Sequence, residues 1–180
     1  MTEAWLRGPV EGVPHALMPA AHSLLDALED MERAASHLTV EQLWMRPGGA
    51  ASVGFHLRHV GGSVERLLTY ARGASLTPRQ LAAISLEGEP GERPRTAAEV
   101  LAALRVSVID ALNDYRSTPP ETLQEERRVG RAGLPSTVQG LLFHAADHAR
   151  RHAGQVVATA KIITGLGLSG ERGATRAVGA

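Results

Sequence analysis

Apolar residues recur every three or four positions in four long stretches of this chain, the spacing of helices that each bury one face. The first stretch runs from about Pro14 to Leu38 and carries Leu17, Ala21, Leu24, Leu28, Met31, Ala35 and Leu38. Thr39 and Gln42 then have the spacing of a capping box, in which each side chain satisfies a free backbone N–H of the other's residue. The short helix they open is broken by Pro47-Gly48-Gly49. A second long stretch begins near Ser52, carries Val53, Leu57, Val60, Val64, Leu67 and Ala71, and ends at Arg72-Gly73. Thr77-Pro78 opens a further turn or two, a cap followed by proline at the first helical position. Residues 87–95, rich in Gly, Pro and charge, read as a loop.

The third stretch opens on a capping box, Thr96 and Glu99, and shows Val100, Leu101, Leu104, Val108, Leu112 and Tyr115 before Pro119-Pro120 stops it. A polar crossover with Arg127, Arg128 and Arg131 leads to Pro135. The fourth stretch is read as capped by Ser136 and Gln139 and as running to about Thr164, with Gly165 ending it. Residues 167–180 are mostly Gly, Ala and Arg with little to bury, so a flexible tail is expected after one domain over residues 1–166. No strand-like alternation and no internal repeat stand out. The expected fold class is all-α, an antiparallel-type helical bundle.

Histidines interrupt the fourth pattern. His144, His148 and His152 recur every four residues, and a four-residue step turns a helix by about 40°, so the rings share one stripe. Measured from the centre of the apolar face, His152 lies about 30° away, His148 about 70° and His144 about 110°. The inward pair is therefore His148 and His152, with His144 at the rim. On the second helix His56 lies about 70° from the apolar centre and His59 about 130°, so periodicity alone selects His56. Neutral imidazole is the commonest protein ligand for transition metals, and facing bundle helices can gather such ligands.

Composition narrows the chemistry. Lys plus Arg and Asp plus Glu are 19 each, so the formal net charge is zero and nothing favours nucleic acid or an anionic membrane as partner. There is no cysteine, which excludes disulfides, thiolate ligands and a cysteine nucleophile, so any thiol chemistry needs a sulfur from outside. Lys161 is the only lysine and has no special context for a Schiff base. No apolar run approaches the roughly 18 residues of a membrane span. Met1 to Val10 lacks the basic start and apolar block of a secretory signal, so a cytoplasmic protein is expected; its expected partner is a small-molecule substrate.

His144-Ala-Ala-Asp147-His148 is not His-Glu-x-x-His and lacks the general base of a zinc protease. Asp147, beside Arg150 and Arg151, reads as a surface ion pair, and Gln155 as either a helix polar contact or a donor to a bound ligand. Trp44, Phe55 and Tyr70 read as core or pocket wall, with the Tyr70 hydroxyl able to face a substrate. His15, His22 and His37 have no partner spacing.

The segment Trp44-Met-Arg-Pro47-Gly-Gly-Ala-Ala-Ser52-Val-Gly-Phe-His56-Leu-Arg-His59-Val-Gly-Gly-Ser63, continued by Arg66-Leu-Leu-Thr-Tyr70-Ala-Arg-Gly73, resembles the DinB-like (DinB/YfiT) damage-inducible family. So does the late His148-x-x-x-His152-x-Gly154-Gln155, and the resemblance spans roughly residues 12–166. It implies a four-helix bundle with up-down-down-up connections, often a homodimer, holding a divalent metal, frequently Zn or Ni, on three histidines. By position those ligands are His59, His148 and His152; the resemblance thus agrees with the angular reading on the late pair and departs from it on the early one. It further implies a metal-dependent thiol S-transferase that activates a low-molecular-weight thiol for attack on an electrophile. The alternatives are a metal-hydroxide hydrolase on the same ligands, or a non-enzymatic metal-binding protein linked to stress.

Overall fold

The computed structural model describes residues 2–168. Six helices follow in order: α1 (Met18–Ala35), α2 (Val40–Trp44), α3 (Val53–Ala71), α4 (Pro78–Leu86), α5 (Ala97–Ser117) and α6 (Val138–Gly165). The four long ones close a bundle in which α1 and α3 each pack against both α5 and α6. Leu24, Met31, Leu57, Val60, Leu104, Tyr115, Leu142 and Ile163 fill its centre and are essentially inaccessible to water. Burying a side chain of this size favours folding by about 1.5–3 kcal/mol. The Tyr115 hydroxyl, sealed in with them, donates to the carbonyl of Leu142 at 2.7 Å. No helix among the described residues is long and apolar enough to cross a membrane.

The expected capping boxes at Thr39/Gln42 and Thr96/Glu99 are present, and Thr77 forms another with Gln80. Three expectations need correction. First, the crossover is not strandless: β1 (Glu126–Val129) pairs antiparallel with β2 (Leu134–Thr137), with Arg127 opposite Ser136. The strands are four residues each and mostly exposed, too short for an alternating pattern to stand out. Gly130 and Gly133, at φ 68° and 59°, make the connection. Arg127 ties the hairpin to the bundle by donating to the carbonyl of Ala71, at the last turn of α3, at 2.7 Å.

Second, α6 is capped by Thr137, whose hydroxyl accepts from Gly140 N at 3.0 Å, and not by Ser136 with Gln139. Ladder pairing runs through Thr137, so the helix starts only after it. Third, Gly165 is the last helical residue and Gly167 ends the helix. Gly167 has φ 57°, its N–H reaches the carbonyl of Thr164 at 3.1 Å, and the N–H of Leu168 reaches Ile163 at 3.0 Å, a Schellman motif. The first two residues of the expected tail thus belong to the helix cap, and residues 169–180 lie outside the described residues.

Candidate metal centre

The site lies in the seam between α3 and α6. On α6, Ala145, Ala149, Ala153 and Val156 are buried, and these small side chains let the helix sit close to its neighbours. His148 and His152 follow one turn apart at the edge of that face, half-buried, while His144 is exposed. As the helical angles predict, His148 and His152 lie inward of His144.

On α3, Ser52 sets the register by accepting from Phe55 N at 3.1 Å. Trp44 reinforces it. Its ring covers the start of the helix so closely that a methyl on Gly54 would sit 2.8 Å from it, and its indole N–H donates to the carbonyl of Arg95 at 3.0 Å. Gly61, on one flank of α3, lies against Ser107 and Leu104 of α5. His56 and His59 lie about 140–160° around the helix from it, toward α6. Periodicity selected His56 as the inward residue, and His56 is indeed buried. It is His59, however, that joins the late pair: one ring nitrogen from each of His59, His148 and His152 fall within 4.8 Å of one another. The apolar face of α3 is shared between α5 and α6, so its mean direction points between them. A residue aimed squarely at one partner then lies well off that mean.

Nε2 of His59 is 2.9 Å from Nε2 of His148, and Nδ1 of His56 is 2.9 Å from Nδ1 of His152. Phe55 stacks on His59 with ring centres 5.2 Å apart and walls one side. Behind His59, its Nδ1 lies 2.7 Å from Oε2 of Glu87, and the Arg66 guanidinium meets Oε1 of the same carboxylate at 2.7 Å. Glu87 is 5% exposed and sits just past the end of α4.

Burial, helped by the charges of His59, His144 and Arg151, pushes His148 down to about 4. Burial and then His148, His59, His56 and Arg151 push His152 down to about 4 as well. His56 is lowered by burial and by His59. Glu87 would be raised by burial, but the hydrogen bonds and charges of His59 and Arg66 outweigh this and hold it below the ordinary carboxylate value. His56, His148 and His152 therefore resist protonation and offer neutral imidazoles.

Two ring nitrogens 2.9 Å apart either share a proton or share an ion. Nitrogens about 2.0–2.1 Å from a zinc-sized ion at tetrahedral angles stand about 3.3 Å apart; His59 and His148 are already near that spacing, and the His152 nitrogen lies within 4.8 Å of both. An all-imidazole donor set suits borderline transition ions, whereas magnesium and calcium prefer oxygen.

Asp147 pairs with Arg151 at 2.9 Å, the surface ion pair expected, while Arg150 reaches across to Asp30 of α1 at 2.8 Å. Gln155 is exposed on α6. His22 hydrogen-bonds the carbonyl of Gly8 at 3.0 Å. Glu87 and Arg66 escaped the sequence reading. Glu87 sat in a stretch read as loop, and no periodicity can announce a residue that meets its partner only through the tertiary fold.

The model of the DinB superfamily matches residues 23–156, a span that holds His59, His148 and His152. The chain belongs to the DinB superfamily. No curated protein matches it significantly. Among solved structures, this DinB-superfamily chain is similar to a conserved protein from Enterococcus faecalis, with 20% identity and a TM-score of 0.64. The alignment covers 83% of this chain and 97% of that one, and the likeness is one of fold.

Proposed function

We propose that His59, His148 and His152 hold a divalent transition metal, zinc or nickel, and that the protein is a thiol S-transferase. The observation that carries this reading is the convergence of three imidazole nitrogens within 4.8 Å, with no carboxylate among them. When bound, a divalent ion supplies Lewis acidity that lowers the pKa of a thiol at its open position toward neutrality. Neutral histidines leave the ionic charge uncompensated, which favours an anionic sulfur there. The chain has no cysteine to compete for the ion, so the sulfur comes from a small thiol in solution. His59, with a side chain 23% exposed, stands where a co-substrate can approach. In the transfer itself the thiol proton passes to solvent and a new sulfur–carbon bond forms. The electrophile's leaving group departs with the bonding electron pair.

The test joins elemental analysis to a thiol-dependence assay. Purified protein is expected to carry about one transition-metal ion per chain, after reconstitution with zinc or nickel if necessary. Conjugation of an electrophile is expected only with both metal and a small thiol present. Turnover that needs the metal but no thiol would replace this reading with a hydrolase. Metal without any turnover would point to a non-enzymatic metal-binding protein. Failure to take up any metal would end all three.

A further inference from the structure

Behind His59 stands a polar pair, Glu87 and Arg66. Glu87 reaches in from the end of α4, nearly sealed from water, and places one carboxylate oxygen on His59 Nδ1 and the other on Arg66. A carboxylate accepts hydrogen bonds, so the contact at 2.7 Å puts a proton on Nδ1 and the lone pair on Nε2. Nε2 is the nitrogen that faces His148. Room for this arrangement comes from one residue: a methyl group on Gly62 would lie 2.5 Å from Oε1 of Glu87 and 2.8 Å from the Arg66 guanidinium. The neighbouring Gly61 faces elsewhere, with its nearest contact the Ser107 hydroxyl at 3.3 Å.

We infer that Glu87 is a positioning residue for the metal centre: it holds the His59 ring in the tautomer and orientation that present Nε2 to the ion, and Gly62 is the vacancy that admits it. The inference rests on the metal reading above and extends it to residues outside the trio. Outer hydrogen-bond partners of metal-ligating histidines orient the ring and raise its basicity, and losing one weakens metal binding by about 10–100-fold. A purely architectural Glu87, pinning α4 to α3, would lower melting temperature when removed and leave metal affinity alone.

Zinc affinity of the full chain, measured by competition with a chromogenic chelator, separates these roles when melting is followed in parallel. Glu87→Gln is expected to bind zinc about 10–100-fold more weakly while keeping the helical signal of the wild type. Gly62→Ala removes no functional group, but its methyl displaces the carboxylate, so it too is expected to weaken binding, by a smaller factor. Gly61→Ala alters the contact with α5 and is expected to leave zinc affinity unchanged. Unchanged affinity in Glu87→Gln, from a wild type that binds zinc, overturns the role of Glu87 and spares the metal site. If Glu87→Gln fails to fold, equal affinity in Gly62→Ala and Gly61→Ala overturns it instead. A wild type that binds neither zinc nor nickel overturns the metal reading and this inference together.

Discussion

His148 and His152 stand on α6 one turn apart, and the helix alone gives them a common direction; Ala145, Ala149 and Ala153 then bring that helix close to its neighbours. His59 is placed differently. Its helix is registered by Ser52 and Trp44, its ring is stacked by Phe55, and its Nδ1 is held by a carboxylate from another element. One arm of the trio is set by local geometry and the other by tertiary contacts. The first should tolerate changes around it as long as α6 stays packed, while the second should respond to changes in several places distant in sequence.

The largest effect that tests this contrast comes from the trio itself. His59→Ala and His148→Ala should each lower metal affinity by more than the ~10–100-fold expected from an outer partner. His56→Ala should retain the ion, because His56 lies outside the trio and meets it at His152. Elemental analysis of the three variants reads this directly, and an ion lost equally from all three would place His56 among the residues that hold it.

Next in size is Ala149→Leu. The site is fully buried, and forcing a larger side chain into a packed seam costs about 1–3 kcal/mol. It should lower thermal stability and loosen α6, and with it both late histidines. Gly54→Ala probes the other arm. The added methyl collides with the Trp44 ring at 2.8 Å, while alanine regains about 1 kcal/mol of helix propensity, so the net loss should be about 1 kcal/mol. Chemical denaturation would reveal it, and a more stable variant would mean that Trp44 is not a strut for α3.

The smallest effect is one of pH. His148 and His152 have folded values near 4, below the ordinary histidine value of 6.5. Below about pH 6.5 the unfolded chain binds protons that the folded rings refuse, so stability without metal should fall as pH drops toward 4 and be level above 6.5. Partial solvent exposure screens the rings and keeps the change modest. Melting curves across that range should show the slope in the wild type and a flatter profile in a His148→Gln, His152→Gln double variant.

The same contrast explains what could be read before the fold was known. The long helices were legible because each buries one face, and the Thr96/Glu99 box marked the start of α5 directly. His148 and His152 were legible because their relation is contained within one helix. His59 was not legible from periodicity, since α3 divides its apolar face between two neighbours; only the resemblance to a family selected it. The hairpin escaped because its strands are four residues long, and the α6 cap moved by one residue because strand pairing reaches Thr137. Glu87 was beyond any local reading, since what matters about it is the company it keeps across 28 residues of chain.

His59 and His148 are 89 residues apart in the chain, and the N-terminal and C-terminal halves of the bundle meet through them. An ion shared between them would act as a staple in a protein that has no cysteine to form one covalently. Closing a loop of that length as a permanent cross-link removes unfolded-chain freedom worth about 4–5 kcal/mol. Unlike a disulfide, this staple is reversible and answers to supply: above the dissociation constant, each tenfold rise in free ion would add about 1.4 kcal/mol to folding. The firmness of the bundle would then track how much free metal surrounds it.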